Sequence, residues 1–202
     1  LEKAKNLGLA VINHPEALMN ATKSKGHEIF REFGLRVPQV EPIDKKSFKK
    51  SRSIEFPFLV REDWGHQGRI HLVRSESELD VIDLEAFQRP VAIEFIDVQS
   101  ALTGRFQKYR YVVAGATGVS LSLHTSKNWL VNGAHNHRSA TTIADEKFFL
   151  SQDNPFANLF KKVAERLRLD FVAFDYAFDR DGRLVIWEAN PFPHLHRPGP
   201  PY

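Results

Sequence analysis

The sequence of 202 residues has no cysteine, a single methionine and no long apolar run. Without cysteine the chain can form neither disulfides nor thiolate sites, so any metal must be held by oxygen or imidazole ligands. No stretch reaches the roughly 18 apolar residues that a membrane-spanning helix needs. The residues near Leu1 also lack the charged, apolar and small-residue order of a signal peptide. We therefore expect a cytoplasmic protein with no membrane partner.

Composition and charge set looser limits on the function. A hydrophobic content of 42% and an aromatic content of 11% allow a substantial core, in one domain or in two closely packed lobes. The formal charge of +3 suits a polyanionic ligand, but it also suits many ordinary proteins. The basic segment 44–53 is short, and we interpret it as a solvated loop rather than a nucleic-acid site. We expect no nucleic-acid partner.

The residue pattern predicts an α+β fold. Runs rich in β-branched and aromatic residues predict strands at 56–61, 70–73, 91–96, 109–114 and 119–124. Two short helices are predicted within 15–33, and another at 77–87. A longer helix should follow the Asn154-Pro155 pair, because Phe156, Phe160, Val163 and Leu167 recur there at helical spacing.

Two further strand-like runs, 171–178 and 183–189, predict a hairpin near the C-terminal end. Asp181-Gly182 is a favoured two-residue turn, since both residues tolerate positive φ. A turn there would pair Arg180 with Arg183 and place Asp175 opposite Glu188. Alternation along the second strand would put Asn190 on the face of Glu188, and Trp187 and Ala189 on the other face.

Two carboxylates directly opposite each other destabilise a sheet, so we expect something to compensate for their charge. A divalent cation would do so, and two carboxylates with an amide suit Mg²⁺ or Mn²⁺. Two alternatives stay open at this point: the pairing slips by one residue, or one carboxylate finds a nearby arginine or faces water. The pairs His135-x-His137 and His194-x-His196 have a spacing compatible with zinc, but loop histidines near phosphates are explained more simply as polar or charge-neutralising groups.

The segment LDFVAFDYAFDRDGRLVIWEANPFP resembles the signature of ATP-grasp enzymes, in which an Asp precedes a Glu-x-Asn motif on the next strand. The resemblance implies that Asp175, Glu188 and Asn190 hold Mg²⁺, with Mn²⁺ as a substitute, and that ATP is the cofactor. It also implies the ATP-grasp fold, with a small lobe at 1–90, a C-terminal lobe at 91–202, and an N-terminal domain that is short or absent.

The resemblance extends to the segments that would hold the nucleotide. In VINHPEALMNATKSKGHEIFREFGLRVP, it assigns Lys23 to the phosphates, with Lys25 as second choice. FPFLVREDWGHQGRIHLV resembles the phosphate loop. There Gly65 and Gly68 would let backbone N–H groups approach phosphate, and Arg61 stands where the family usually has Lys.

VAIEFID resembles the hinge between the lobes, which implies adenine contacts from Glu94, Phe95 and Ile96 and a ribose contact from Asp97.

Further along the chain, Arg110 matches a basic nucleotide contact of the family and Asn132 matches an Asn of its glutamate-adding members. Two positions depart from the family pattern. Lys108 stands in place of an acidic residue, and Leu130 in place of an Arg that commonly supports phosphate transfer. His124 is expected near the γ-phosphate.

The function implied by the resemblance is ATP-dependent ligation of a carboxylate to an amine or thiol through an acyl phosphate. Arg61 and Arg110 would offset the charge that develops during phosphate transfer. The substrates would include a peptide or amino acid, and the sequence leaves open whether two copies form a homodimer. Alternatives are a non-catalytic ATP-binding module and a kinase. The changes at Arg61 and Leu130 favour the first of these alternatives.

Overall fold

In the part of the chain that the structure describes, eight strands form two four-stranded antiparallel sheets, with orders β1-β4-β2-β3 and β6-β5-β7-β8. This computed structural model describes residues 6–44, 46–64, 69–193 and 195. The strands are β1 (Val40–Pro42), β2 (Phe58–Glu62), β3 (Ile70–Val73), β4 (Pro90–Glu94), β5 (Phe106–Ala114), β6 (Thr117–Ser126), β7 (Phe171–Phe178) and β8 (Leu184–Asn190).

Helices connect and cover the sheets. They are α1 (Pro15–Leu18), α2 (Lys23–Glu32), α3 (Phe48–Ser51), α4 (Glu76–Asp80), α5 (Ala140–Ser151) and α6 (Ala157–Leu167). Single 3₁₀ turns lie at Met19–Ala21, Leu84–Ala86 and Gly133–His135. Among the residues that the structure describes, no helix is both long and apolar enough to cross a bilayer.

The larger core lies between the second sheet and helices α2 and α6. Phe160 of α6 stacks on Phe174 of β7 with ring centroids 5.0 Å apart. Tyr111 of β5 also stacks on Phe160, with ring centroids 5.5 Å apart. Ile29 and Phe30 of α2 are buried in this core as well. Burial of each such side chain is worth about 1.5–3 kcal/mol, so α2 is fixed to the second sheet.

The side chain of Tyr111 packs directly against Gly118 of β6. A Cβ at this position would lie 2.6 Å from the hydroxyl oxygen of Tyr111 and 2.7 and 2.8 Å from two carbons of its ring. Real side chains do not tolerate such contacts, so the close fit of the Tyr111 ring on β6 requires glycine.

Helix α2 bridges the two sheets. Thr22 caps its first turn by accepting a hydrogen bond from the backbone N–H of Lys25. The backbone N–H of Lys23 donates to the carbonyl oxygen of Asp63, just beyond β2 of the first sheet, at 3.1 Å. The division predicted between residues 90 and 91 falls inside β4, which belongs to the first sheet.

Most predicted elements are present, with three corrections. The segment 44–53 is not simply a solvated loop, because it contains α3, whose Phe48 is buried in the smaller core. The helix predicted at 77–87 is α4 followed by a 3₁₀ turn. The predictions also lacked β1 and α5. A reciprocal capping box between Ser139 and Thr142 begins α5 and was its available signal.

Candidate functional site

The hairpin of β7 and β8 brings together the two carboxylates that the sequence pattern pairs. Asp175 lies directly opposite Glu188, as predicted. The turn itself differs from the prediction, because the N–H of Asp179 donates to the carbonyl oxygen of Arg183 at 3.0 Å, which leaves three residues in the loop. Gly182 takes a positive φ of 74° in that loop, as in the usual three-residue hairpin. The predicted two-residue turn is therefore wrong, and Arg180 does not pair with Arg183.

A β-bulge at Trp187 compensates for the longer loop, so that Asp175 still faces Glu188. Tyr176 lies opposite Ile186 while Asp175 lies opposite Glu188, so Trp187 is the extra residue on β8. Trp187 lines the same cavity as Glu188, and its predicted placement on the opposite face is wrong. Ala189 is buried in the larger core, as the alternation predicts.

His27 of α2 binds the backbone at this bulge. Its Nε2 lies 2.8 Å from the carbonyl oxygen of Trp187, and its Nδ1 lies 3.2 Å from that of Pro38. Burial lowers the pKa of His27 to about 4, so the ring is neutral at pH 7 and carries one N–H. We assign that hydrogen to Nε2 on the basis of the shorter contact. Helix α2 therefore holds the bulge in place.

A cavity of about 380 Å³ lies between the two sheets, within the range typical of small-molecule sites. Part of its wall is apolar and aromatic. The ring of Phe95, just after β4, meets the ring of Trp129 edge-on with centroids 6.1 Å apart. Leu59, Ile93, Ile96 and Val131 line the cavity as well. This wall suits a flat, weakly polar group such as a heteroaromatic base.

Asp175 is the buried centre of the charged part of the cavity. Arg110 donates from Nε to Oδ1 at 2.6 Å and from Nη2 to Oδ2 at 2.8 Å, and Lys108 Nζ donates to Oδ2 at 2.9 Å. Burial alone would raise the pKa of Asp175, but Lys108 and Arg110 outweigh it and hold this pKa well below its usual range. Asp175 is therefore ionised at any physiological pH.

Glu188 has its own basic neighbours. Lys23 Nζ lies 3.8 Å from Glu188 Oε2, and Arg61 Nη2 lies 3.9 Å from the same oxygen. Lys23 Nζ also donates to the carbonyl oxygen of Asp63 at 3.3 Å. Burial, with the neighbouring charge of Arg61, lowers the pKa of Lys23 to about 8, so the ammonium is charged at pH 7.

Basic side chains contact both of the facing carboxylates, and a nearby arginine was one of the alternatives left open by the sequence pattern. Four cations contact two carboxylates, so the cluster carries a net charge of +2; its members are Lys23, Arg61, Lys108, Arg110, Asp175 and Glu188. A cluster of this sign favours an anionic ligand beside the aromatic wall.

No family model matches this sequence. The uncharacterized protein MG012 of Mycoplasma genitalium is 26% identical over 147 residues, which are 72% of this chain and 47% of that protein.

Solved structures resemble this chain over nearly its whole length. The N5-carboxyaminoimidazole ribonucleotide synthetase of Thermotoga maritima covers 96% of it with a TM-score of 0.57 at 15% identity. The ATP-grasp ligase PsnB, in complex with a precursor variant, Mg and ADP, covers 96% with a TM-score of 0.59 at 16% identity. The D-alanine–D-alanine ligase of Bacillus anthracis, in complex with ATP, covers 95% with a TM-score of 0.60 at 13% identity.

The chain has the ATP-grasp fold. It spans 48%, 57% and 61% of the lengths of these three solved chains. At such identities the likeness establishes the fold alone, and we call the cavity between the two sheets the ATP-grasp cleft after that fold.

Several residues assigned from the sequence line the ATP-grasp cleft. They are Lys23, Arg61, Phe95, Ile96, Asn132, Asp175 and Glu188. Lys25, the second choice for the phosphate contact, is instead exposed and paired with Glu28 at 2.8 Å. The side-chain oxygen of Asn132 accepts a hydrogen bond from the N–H of His135 at 3.0 Å, which caps a 3₁₀ turn at the cleft.

Other assigned residues do not line the ATP-grasp cleft. The carboxylate of Glu94 accepts from the N–H of Gln39 at 2.9 Å. Asp97 accepts from Arg180 at 2.6 Å. Arg110 reaches the cleft only through Asp175.

At the end of β8, Asn190 is buried and its Oδ1 accepts from the N–H of Phe192 at 2.9 Å. Gly65 and Gly68 lie outside the described residues.

The histidines that the sequence pattern associated with phosphate or zinc do not form a common site among the described residues. His124 lies opposite Lys108 on the neighbouring strand, and its buried Nδ1 has no hydrogen-bond partner among the described residues. Burial and the nearby Lys108 lower its pKa. Within the described part of the chain, no three His, Cys, Asp or Glu side chains are placed to share a metal. His194 and His196 lie outside that part.

Two tryptophans to which the sequence pattern gave no role, Trp129 and Trp187, line the ATP-grasp cleft. Trp129 lies in the polar loop SKNWLVN, where an isolated aromatic residue is a usable signal of a binding surface. Trp187 reaches the cleft only because of the bulge, for which the sequence offered no marker.

Proposed function

We propose that this chain binds Mg–ATP in the cleft and uses it to join a carboxylate to an amine through an acyl phosphate. The observation that carries the proposal is the cluster of net charge +2 around two facing carboxylates, directly beside an aromatic wall. Magnesium-bound ATP carries roughly two negative charges at neutral pH. Its charge and its flat base therefore both match the cleft.

The residues that we propose as metal ligands are Asp175, Glu188 and Asn190. Their oxygens are the donors that Mg²⁺ prefers, and the pairing of Asp175 with Glu188 places two of them face to face on adjacent strands. Asn190 follows two residues later on β8, so the donor chemistry and the register fit a hard cation. Bound Mg²⁺ would neutralise phosphate oxygens of the nucleotide.

The remaining residues of the cleft would position the nucleotide. We assign the adenine to the wall formed by Phe95, Ile96 and Trp129, since the first two directly follow β4 and line the cleft. Lys23 and Arg61 lie beside Glu188 and would contact the phosphates. Glycines 65 and 68 would add backbone N–H groups.

The protein's part in the reaction would be electrostatic. An oxygen of the substrate carboxylate attacks the γ-phosphorus, and the bond to the β-phosphate oxygen breaks to release ADP. An amine then attacks the acyl carbon, phosphate leaves, and the amine loses a proton. Lys23 and Arg61 would stabilise the charge on the transferred phosphoryl group. Arg110 would position Asp175, which it grips with two hydrogen bonds.

A second candidate is a nucleotide-binding module without catalysis. The observation that favours it is Leu130, which lines the cleft where the resemblance leads one to expect an arginine. Without that arginine the cleft retains Lys23 and Arg61 for phosphate transfer.

The binding test uses calorimetric titration of ADP with excess Mg²⁺ and again with EDTA. In the wild type, Mg²⁺ should tighten binding, whereas in Glu188→Ala the two conditions should give the same affinity within about twofold. Glu165→Ala, an exposed change on α6, serves as the matched control and should behave like the wild type. Retention of the full Mg²⁺ effect in Glu188→Ala would refute the metal assignment.

The catalytic test measures phosphate release from ATP across a panel of carboxylates and amines. Release that requires both partners, with an amide as product, supports the ligase. A stable phosphorylated product would identify a kinase. ADP binding without any phosphate release would favour the non-catalytic module.

A further inference from the structure

Lys108 connects the cleft to the buried carboxylate of Asp175. Its Nζ lies 2.9 Å from Asp175 Oδ2. The Lys108 side chain is 21% exposed and lines the cavity, whereas that of Asp175 is only 2% exposed. Both side chains therefore line the cleft, and Lys108 is the more exposed partner of the pair.

Both oxygens of Asp175 already have strong donors. Arg110 binds Oδ1 and Oδ2 at 2.6 and 2.8 Å, and Lys108 adds the third charged hydrogen bond, on Oδ2. A metal ion that bound Oδ2 would come within a few ångströms of the Lys108 ammonium, where repulsion in a partly buried site is severe. The metal and the ammonium cannot both hold this oxygen.

We infer that Lys108 is an internal cation that competes with a divalent metal for Asp175. The inference rests on the metal site of the proposed function and adds a regulator to it. Arg110 holds the carboxylate with a rigid bidentate fork, but Lys108 makes a single contact through a flexible four-carbon stem. Lys108 is therefore the group that leaves when metal enters.

The geometry also determines where the displaced ammonium goes. Because Lys108 lines the cavity, its released Nζ stays beside the space assigned to the phosphates. Two consequences follow. Metal binding without nucleotide is weak, since Asp175 is already neutralised. Nucleotide binding depends only partly on metal, since Lys23, Arg61 and Lys108 line the cleft and supply positive charge without it.

The test measures Mn²⁺ binding to the full chain without nucleotide, by electron paramagnetic resonance of free Mn²⁺. Lys108→Met should bind Mn²⁺ at least tenfold more tightly than the wild type, whereas Lys108→Arg, which keeps a cation, should not. Lys162→Met removes an exposed charge on α6 and should leave the affinity unchanged. Equal Mn²⁺ affinities for wild type and Lys108→Met would overturn the inference. So would equal gains in Lys108→Met and Lys162→Met, since the effect would then be one of net charge.

Thermal unfolding of each variant establishes that it is folded. If Lys108→Met does not fold, Lys108→Gln keeps a neutral hydrogen bond to Asp175 and should show the same tightening. A parallel ADP titration distinguishes the two proposals. Failure of ADP to bind under any condition would sink the proposed function. ADP binding together with unchanged Mn²⁺ affinity in Lys108→Met would sink only the role of Lys108. The expected result is that EDTA weakens ADP binding less than tenfold in the wild type and more than tenfold in Lys108→Met.

Discussion

Lys23 should lower the stability of the nucleotide-free protein while strengthening nucleotide binding. Its side chain is only 5% exposed, and burial with the charge of Arg61 lowers its pKa from 10.5 to about 8. At about 1.4 kcal/mol per tenfold change in proton affinity, burying the charged form costs roughly 3 kcal/mol more than burying the neutral form. The free protein bears this cost at pH 7.

Lys23→Met keeps the aliphatic stem and removes the ammonium. Its cost is the hydrogen bond from Lys23 Nζ to the carbonyl oxygen of Asp63, worth about 1 kcal/mol. Glu188 is not left unpaired by the change, because Arg61 remains 3.9 Å away. We therefore expect the variant to unfold with a free energy about 1–2 kcal/mol higher than that of the wild type at pH 7.

Urea denaturation at pH 7 measures this difference, with the exposed Lys162→Met as control at less than about 0.5 kcal/mol. The gap should shrink at pH 9.5, where Lys23 is largely neutral in the folded wild type. Calorimetry with Mg–ADP should show at least tenfold weaker binding to Lys23→Met. A variant that is less stable than wild type by 1 kcal/mol or more would refute the reasoning, because the ammonium would then be a net stabiliser.

Three further changes test the packing and the cleft. Folded His27 stays neutral down to about pH 4, while the unfolded side chain takes up a proton near pH 6.5, so the free energy of unfolding should decrease as the pH is lowered from 6.5 to 4. Lowering the pH from 7 to 5 should therefore cost the wild type roughly 2 kcal/mol more than His27→Gln in urea unfolding. Equal losses in the two proteins would contradict this. Gly118→Ala, which drives a Cβ into the Tyr111 ring, should destabilise the protein by about 1–3 kcal/mol. Gly133→Ala, with open space around it, should change the melting temperature little, and similar melting of the two variants would be evidence against the clash. Trp129→Ala should weaken ADP binding by at least tenfold in titration calorimetry. An unchanged affinity would show that the adenine does not contact Trp129.

Local patterns predicted most of the strands because the runs that form them carry their own signal. The apolar runs of β7 and β8 and the helical spacing of Phe160 and Val163 follow directly from the residues. Two elements were missed for local reasons. β1 is only three residues long, too short for any period to show. Helix α5 has an almost even distribution of apolar residues, so only its capping box could reveal it.

The charged cluster was harder to foresee, because its contacts cross strands that are distant in sequence. Lys108 and Asp175 meet since β5 lies beside β7, and nothing in either segment specifies that neighbour. Glu94 and Asp97 were assigned to the nucleotide for the same reason, since the sequence does not show which groups their carboxylates contact. In the structure these carboxylates accept hydrogen bonds from backbone N–H groups and from Arg180. A resemblance can identify which residues belong to a site, but the partners of each side chain depend on the order of the strands.

The bulge at Trp187 also determines which side chains of the hairpin would be displaced by a one-residue shift of strand register. Two registers of these strands place Asp175 opposite Glu188: the observed one, with a three-residue loop and a bulge, and a regular one with a two-residue turn. A slip confined to the residues between the loop and the bulge would leave the carboxylate pair where it is. The same slip would move Trp187 from the cleft to the opposite face. The carboxylate pair would thus survive such a slip while Trp187 would leave the cleft, so the fluorescence of Trp187 would report a misfolded turn even with Asp175 and Glu188 correctly paired.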